Sequence, residues 1–193
     1  MGCEFSSITS SDRNEEFRHP RSVYRLLLLG PGESGKSTFI KQMVNRFQHG
    51  YPIEERKKFR MCVVENTLEC VKTILRWSDR LYELEVEGTR TDPAKDYAKR
   101  ALLETPATRQ LSKETAELVK LFWRSDKGFM CTFENSWRYQ LLDCAEYFLD
   151  RIDFIAEEGY VPSKEDVFHS RTVTTGVVDI EFRLEKSIFK IID

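Results

Sequence analysis

Apolar and polar residues follow different patterns at the two ends of the chain and in its middle. Residues 23–29 (VYRLLLL) form a short, nearly continuous apolar run, which is typical of a strand buried on both faces of a parallel sheet. After Gly176, the alternation in VVDIEFRL predicts a second strand, Glu185 and Lys186 predict a turn, and SIFKIID predicts a third strand. We therefore expect the first strand to belong with a hairpin far downstream.

The middle of the chain, up to about Pro162, has helical periodicity almost throughout. Two apolar stripes with spacings of three and four residues predict helices that each bury one face. The first stripe consists of Met61, Val64, Leu68, Val71 and Leu75, and the second of Leu141, Ala145, Phe148, Ile152 and Ile155, closed by Gly159. The aromatic residues Trp77, Trp123 and Trp137 are expected in this core.

Local signals mark two helix starts. Asp92 followed by Pro93 is typical of an N-cap with proline in the first helical position. Residues 163–166 (SKED) predict the start of a short helix. By contrast, residues 4–21 are polar and lack sustained apolar periodicity, so we expect a loose arm or a short helix there.

The composition favours a globular, soluble chain: of 193 residues, 40% are hydrophobic and 32% are charged, and the net charge is −2. This near-neutral charge gives no electrostatic reason to expect nucleic acid as a partner. The sequence has no apolar stretch near the roughly 20 residues of a membrane span, and no signal-peptide core. Its five cysteines are scattered and odd in number, which favours reduced cytosolic thiols.

Candidate chemistry lies just after the first apolar run. Gly30, Gly35, Lys36 and Ser37 match the pattern G-x-x-x-x-G-K-S/T. Glycines let successive N–H groups point inward as an anion-binding nest, and the N-terminus of the next helix attracts phosphate as well. The lysine adds a positive charge, and the serine hydroxyl is a hard oxygen ligand suited to Mg²⁺. Compared with a chance glycine turn, a loop that holds a nucleoside polyphosphate is favoured.

The helix after this loop is expected to bury Phe39, Ile40 and Met43. That arrangement, a buried strand followed by the loop and an amphipathic helix, is the context that the motif requires.

Two later segments are compatible with phosphate chemistry. In SRTVTTG, Arg171 can stabilise charge on a transferring phosphoryl group, and Thr174 can complete a Mg²⁺ shell. The apolar run SIFKII ends in Asp193, where a Walker-B aspartate would stand. Each signal alone is weak, because such loops and aspartates are common.

Together these motifs make the chain resemble the alpha subunit of heterotrimeric G proteins, from residue 26 to residue 193. GPGESGKSTFIKQM is similar to that family's phosphate loop, and DVFHSRTVTTG is similar to its linker and switch I. The helical block stands where the family inserts its helical domain. The resemblance implies an α/β fold: a partial P-loop GTPase (Ras-like) sheet with a large inserted all-helical domain.

The resemblance also implies a domain organisation. Residues 1–22 would be a lipidated arm, residues 23–52 and 170–193 a partial Ras-like GTPase domain, and residues 53–169 the inserted helical domain and linkers. Nothing follows Asp193, whereas the family continues into switch II, an N-K-x-D guanine-reading motif and a receptor-binding end. We therefore expect the first half of an alpha subunit.

Site residues carry over from the family residue by residue. Arg171 would be a built-in arginine finger with Glu33 as its ion-pair partner, and Ser37 and Thr174 would hold Mg²⁺. The nucleotide, GTP or GDP, would be bound by Glu33, Ser34, Gly35, Lys36, Ser37, Thr38, Asp143, Cys144, Phe168, His169, Ser170, Arg171, Thr172, Val173, Thr174 and Asp193. The chain departs from the family pattern at Pro31, where alanine is usual, and at Cys144, where serine is usual.

The N-terminus matches M-G-x-x-x-S/T, a signal for myristoylation of Gly2, and Cys3 beside it can take palmitate. Two acyl chains anchor a protein stably, whereas one binds membranes only marginally. With the family resemblance, this implies the cytoplasmic face of the plasma membrane. The implied partners are a G protein-coupled receptor and the beta-gamma dimer, although the arm that would bind the dimer is shorter than usual and contains Pro20.

The leading interpretation is a GTP-binding and GTP-hydrolysing signalling subunit, in a form that is expected to be inactive in hydrolysis by itself. A non-enzymatic, membrane-tethered helical interaction module is the alternative. A P-loop kinase for a small metabolite is disfavoured by the long helical insertion between Ser37 and Thr174.

Overall fold

The computed structural model describes residues 22–32, 34–107, 110–171 and 179–192. They form a mixed α/β structure, mostly helical, with one three-stranded sheet in the described ranges. The chain divides into two compact units, one with described residues 22–50 and 179–192 and the other with described residues from 51 to 171. The polar arm at residues 4–21 lies outside the described residues.

The first unit is built on strands β1 (Ser22–Leu27), β2 (Asp179–Leu184) and β3 (Ser187–Ile192), in the order β1-β3-β2. β1 pairs parallel to β3, with Ser22 opposite Ser187, and β2 pairs antiparallel to β3. Glu185, in the turn between β2 and β3, has φ 53°. The predicted hairpin and its pairing with the first strand are confirmed.

The expected burial of β1 on both faces is wrong. Val23 is 52% exposed, Leu26 42% and Leu27 62%. Strand side chains point to the two faces of a sheet, so their burial requires other elements packed on those faces. Among the described elements, the helix at Lys36–Phe47 packs on β2, and β1 lies at the edge of the sheet, where it pairs with β3 alone. An apolar run therefore predicted the strand correctly, but its burial depends on neighbours that a local pattern does not contain.

Helix α1 (Lys36–Phe47) confirms part of the expected buried side: Ile40 is buried and Met43 is half-buried. Ile40, Lys41 and Val44 are its buried residues, whereas Phe39 is 42% exposed, so the expectation for Phe39 is wrong. The helix docks through its C-terminal end, where Phe47 stacks on Phe182 of β2 with ring centroids 4.4 Å apart. Phe39, about two turns before this contact, is not covered by it.

The second unit is helical in its described residues. Its helices are α2 (Ile53–Arg56), α3 (Arg60–Glu83), α4 (Asp96–Glu104), α5 (Lys113–Trp123), α6 (Lys127–Glu134), α7 (Ala145–Asp150), α8 (Ile152–Ile155) and α9 (Lys164–His169). Short 3-10 turns occur at Lys57–Phe59, Pro93–Lys95 and Ser136–Arg138. The long helix α3 is central, because α4, α6 and α7 all pack against it.

Both predicted stripes lie in the core of this unit, with two residues at its margin. Leu141 is only partly buried, and Met61, in the first turn of α3, is 42% exposed. Trp77 stacks on Tyr139, and Trp123 packs against the core. The buried stripe residues are Val64, Leu68, Val71, Leu75, Ala145, Phe148, Ile152 and Ile155.

Trp137 is 75% exposed, so its expected place in the core is wrong. It lies in a 3-10 turn rather than on a helical stripe, and the guanidinium carbon of Arg138 is 4.4 Å from its ring centroid. An aromatic side chain outside a periodic stripe has no local feature that determines its burial.

Both predicted caps are confirmed. Asp92 accepts a hydrogen bond from the Ala94 amide at 3.0 Å and is followed by Pro93. At the start of α9, the Ser163 hydroxyl accepts from the Asp166 amide, and the Asp166 carboxylate accepts from the Ser163 amide.

Within the described ranges, no helix combines the length and the apolar character needed to cross a membrane. The four cysteines in those ranges, Cys62, Cys70, Cys131 and Cys144, form no disulfide there, in agreement with the predicted reduced thiols.

Candidate functional site

The predicted phosphate loop, residues 30–37, lies between β1, which ends at Leu27, and α1, whose first residues are Lys36 and Ser37. The Leu28 amide donates to the Ile192 carbonyl at 2.8 Å, which keeps the chain beside β3 after β1 ends. Gly35 is the N-cap of α1, with φ 86° and without a side-chain cap. The first amides of a helix have no acceptor inside the helix, so those of Lys36, Ser37 and Thr38 are suited to an external acceptor.

Lys36 organises the loop from inside. Its ammonium donates to the carbonyl oxygens of Gly30 and Pro31, both at 2.9 Å, and to the Ser34 hydroxyl at 3.5 Å. The loop therefore curls around a positive charge that belongs to the first residue of the helix. Pro31 takes part in this arrangement through its carbonyl group.

The electrostatics of this helix start favour an anion. Helix N-termini ordinarily attract acidic side chains, because unpaired amides carry partial positive charge there. The first turn of α1 contains no acidic residue, and it contains Lys36 instead. Two positive features thus meet in one place, and a phosphate group is the kind of ligand that would satisfy both.

Gly30 and Gly35 occur in the loop for different structural reasons. A Cβ atom at Gly30 would lie 2.8 Å from the Ser34 hydroxyl oxygen, so this glycine allows the loop to close on itself. A Cβ atom at Gly35 would meet no atom within 4 Å, but its φ of 86° is a conformation that favours glycine. The loop requires Gly35 for its backbone, whereas a side chain at Gly30 would require the Ser34 hydroxyl to move.

The second group of predicted residues lies in the helical unit, at α9 and just after it. Phe168 is half-buried, His169 and Arg171 are exposed, and Ser170 is buried with its hydroxyl donating to the Val167 carbonyl at 2.8 Å. The His169 ring stacks on the Tyr147 ring, with centroids 4.0 Å apart and planes at 17°.

Asp166 anchors α9 to the rest of the helical unit. Its fully buried carboxylate accepts hydrogen bonds from the Tyr147 and Tyr160 hydroxyls, the Ser163 amide and Arg151 Nε, at distances between 2.7 and 3.1 Å. Burial alone would raise the pKa of Asp166, but these donors hold it below its ordinary value. Burial and the bond to Asp166 in turn raise the pKa of Tyr147 to about 12, so this hydroxyl remains a donor.

The backbone of Arg171 is held by helix α3. Its amide donates to Asn66 Oδ1 at 2.5 Å, and its carbonyl oxygen accepts from Asn66 Nδ2 at 3.2 Å. The Cys62 thiol, one turn before Asn66, donates to the same carbonyl at 3.2 Å. One side-chain amide thus satisfies both polar groups of the Arg171 backbone.

Asp143 and Cys144 stand just before α7. Asp143 is exposed, whereas the Cys144 side chain is 4% exposed and belongs to the core. The Cys70 side chain on α3 is buried in the same core, and its interaction with Cys144 together with burial raises the pKa of the Cys70 thiol. At this position the cysteine acts as a small apolar core residue.

Each unit thus brings together one group of predicted residues. Ser34, Gly35, Lys36, Ser37 and Thr38 meet at the phosphate loop, and residues 168–171 meet at the end of α9. Seven predicted residues lie outside the described residues: Gly2, Cys3, Glu33, Thr172, Val173, Thr174 and Asp193.

Sequence reasoning missed Asn66, Cys62 and Tyr147 as contacts of the predicted segment. Asn66 and Cys62 are spaced by four residues on a helix, which places them on one side. The S-x-x-D pattern at residues 163–166 indicated Asp166 as a capping residue, but it did not indicate the two tyrosines and the arginine that converge on it.

Comparison with known proteins gives a consistent result. A family model described as "G-protein alpha subunit" matches residues 4–193. The guanine nucleotide-binding protein alpha-17 subunit of Caenorhabditis elegans is 36% identical over 180 residues, which are 93% of this chain and 50% of that protein. The guanine nucleotide-binding protein subunit alpha-15 of Homo sapiens is 37% identical over 180 residues, covering 93% of this chain and 47% of the human protein. The chain spans about half the length of the curated relatives it matches.

Proposed function

Because this chain belongs to the G-protein alpha-subunit family, whose members are GTPases, we propose that it forms part of a GTP/GDP switch in signalling from G protein-coupled receptors. The observation that carries the proposal is the phosphate loop. There the Lys36 ammonium and the first amides of α1 form a positively charged cradle with no acidic residue in the first helical turn. Such a cradle suits the phosphates of a nucleotide.

Within this proposal, residues 33–38 bind the phosphates, and Lys36 exchanges its contacts with the loop carbonyls for contacts with phosphate oxygens. Ser37 and Thr174 provide hydroxyl oxygens for Mg²⁺, a donor type that this cation prefers. When bound, Mg²⁺ neutralises the charge that develops on the phosphate oxygens. Asp193 stands in the Walker-B position and supports that site.

Arg171 stabilises the transferring phosphoryl group, because its guanidinium is planar and always charged. Glu33 pairs with this arginine. Asp143, Cys144 and residues 168–174 supply the remaining contacts to the nucleotide.

The family fold leads us to propose that residues 23–52 and 170–193 are part of a Ras-like P-loop GTPase domain and residues 53–169 an inserted helical domain. Residues 1–22 form the arm that carries myristate on Gly2 and palmitate on Cys3. Two acyl chains would hold the protein at the cytoplasmic face of the plasma membrane, where the receptor and the beta-gamma dimer are its partners.

For the 193 residues by themselves we propose weak nucleotide binding and no hydrolysis above background. The phosphate loop would contact the phosphates and not the base, so GTP and ATP should bind with similar affinity. A titration of the purified chain with a fluorescent GTP analogue, with and without Mg²⁺, tests this. We expect saturable, Mg²⁺-dependent binding that Lys36→Ala weakens at least about tenfold, since a charge-assisted contact contributes roughly 1.5–3 kcal/mol.

Lys186→Ala is the matched control, because it removes one positive charge from the same unit at the β2–β3 turn. It should bind the analogue like the unaltered chain. Equal loss of binding in both variants, or no saturable binding by the unaltered chain, would contradict the proposal. Nanomolar GTP binding with rejection of ATP would show that this chain reads the base.

A second candidate function, a non-enzymatic helical interaction module tethered by the acylated arm, is favoured by one observation. The main core cluster lies wholly within the helical unit, between residues 63 and 160. Cooperative folding of that unit in a chain that binds no nucleotide would support this second function over the first.

A further inference from the structure

The carboxamide of Asn66 is matched to the backbone of Arg171. Both ends of the carboxamide are used: Oδ1 accepts from the Arg171 amide at 2.5 Å, and Nδ2 donates to the Arg171 carbonyl at 3.2 Å. The two residues are 105 positions apart in sequence. A backbone residue presents one donor and one acceptor, and a carboxamide side chain offers a complementary donor and acceptor on one rigid plane.

Cys62 strengthens the same contact from one helical turn away. Its thiol donates to the Arg171 carbonyl at 3.2 Å, so this oxygen accepts from two side chains of α3. The pair Cys62 and Asn66 forms what we call the α3 clamp.

The chain that leads to Arg171 is already anchored before it reaches the clamp. The buried Asp166 carboxylate fixes the start of α9, the Tyr147 ring stacks on His169, and Ser170 is buried. The α3 clamp extends this anchored segment by one residue, to the arginine. Arg171 is an exposed residue just beyond the end of a six-residue helix, and the α3 clamp holds its backbone there.

We propose that Asn66, assisted by Cys62, is a positioning residue for Arg171. The inference rests on the proposed function, in which Arg171 stabilises the transferring phosphoryl group. Ordering the backbone of one residue costs conformational free energy. The hydrogen bonds of the α3 clamp offset this cost within the helical unit, so the Arg171 backbone is ordered before any nucleotide binds.

The experiment measures order at Arg171 directly, in the purified 193-residue chain without nucleotide. Amide hydrogen exchange and ¹⁵N relaxation of Arg171 are compared in the unaltered chain, Asn66→Ala, Asn66→Asp and Cys62→Ala. Asn66→Ala should speed exchange at the Arg171 amide about tenfold, the equivalent of one hydrogen bond. The NMR order parameter S² of the Arg171 amide should fall from about 0.85, the value of a rigid backbone, toward about 0.6.

The variants separate positioning from general stability. Asn66→Asp keeps an acceptor for the amide but loses the donor to the carbonyl, so it should retain part of the protection. Cys62→Ala should have a smaller effect than Asn66→Ala. Asn135→Ala is the matched control. The side-chain amide of Asn135 donates from Nδ2 to the Cys131 carbonyl, one turn earlier at the end of α6, and not to Arg171.

Unchanged exchange and relaxation at Arg171 in Asn66→Ala would overturn the proposal. Loss of protection throughout α3, with a melting temperature that falls well beyond that of Asn135→Ala, would overturn it as well, because Asn66 would then serve general stability. The nucleotide titration on the unaltered chain reports separately on the proposed function, since the order of Arg171 is measured without nucleotide.

Discussion

Lys36 shows at the scale of a single residue how the phosphate loop is arranged. A lysine in the first turn of a helix faces the partial positive charge of the unpaired amides, which is unfavourable without an anion. In this structure the carbonyl oxygens of Gly30 and Pro31 accept hydrogen bonds from its ammonium group and offset part of that cost. A phosphate group would replace these carbonyls with a full negative charge. Lys36 therefore makes the loop more favourable for an anion than for a neutral or positively charged ligand.

Ser37 follows directly and is half-buried. We predict that Ser37→Ala loses at least about tenfold in Mg²⁺ affinity in the presence of nucleotide, because a hydroxyl ligand is removed. Binding of the nucleotide in EDTA should change little. The measurement is a titration of the nucleotide-loaded chain with Mn²⁺, a paramagnetic substitute for Mg²⁺, followed by electron paramagnetic resonance.

Ser37→Thr keeps the hydroxyl and is the matched control for this prediction. If Ser37→Ala and Ser37→Thr bind Mn²⁺ with equal affinity, the hydroxyl is not a ligand.

At the scale of elements, the short helices depend on contacts outside themselves. Helices α7, α8 and α9 contain six, four and six residues. Isolated helices of this length are unstable in water, because nucleation is unfavourable and few hydrogen bonds follow it. In the helical unit, Phe148, Ile152 and Val167 are buried, and the Asp166 carboxylate holds the start of α9.

We predict that Asp166→Asn lowers the free energy of unfolding by about 2–3 kcal/mol at pH 7, because a buried, charged acceptor with four donors is replaced by a neutral amide. The loss should depend on pH. The folded-state pKa of Asp166 lies below the ordinary value of about 3.9, so its contribution is present above that pH and is lost as pH falls through the folded-state value.

Urea denaturation from pH 7 down to pH 3 measures both effects. The difference between Asp166→Asn and the unaltered chain should shrink as the pH falls below about 4. Glu165→Gln, at the exposed neighbouring carboxylate, serves as the control and should change stability by less than about 0.5 kcal/mol. A difference that stays constant over the whole range would argue against a charged Asp166 as the anchor.

At the scale of the whole molecule, the two units differ in how much core they contain. The main cluster of buried apolar residues lies in the helical unit. In the described residues of the first unit, the buried apolar side chains are Ile40, Val44, Ile180, Phe182 and Ile191. The β1 strand, paired on one side within the described sheet, leaves Val23, Leu26 and Leu27 largely exposed, and an apolar strand edge of this kind promotes aggregation.

We predict that residues 51–171, expressed alone, fold cooperatively, because a unit with its own hydrophobic core can fold alone. Their thermal transition, followed by circular dichroism at 222 nm, should lie within a few degrees of the helical transition of the full chain. A fragment that shows no cooperative transition would mean that the helical unit depends on the sheet unit.

Local sequence determined the features that arise from neighbours along the chain. The phosphate loop, the start of α1, the stripes of α3 and α7, both caps and the β2–β3 turn all follow from spacings of a few residues, because hydrogen bonding and periodicity within an element are local. The motifs GPGESGKSTFIKQM and DVFHSRTVTTG, with the helical block between them, indicated the alpha-subunit family that the comparisons support.

Only the tertiary structure decided which of these elements were covered and which distant residues met. The pattern of β1 predicted burial, but a strand is buried only if neighbours cover it, and the described sheet places β1 at an edge. Phe39 and Trp137 are exposed because the docking of α1 and the position of a 3-10 turn are not encoded in local periodicity. The contact of Asn66 with Arg171 joins residues 105 positions apart, and such a pair exists only after the helices have packed.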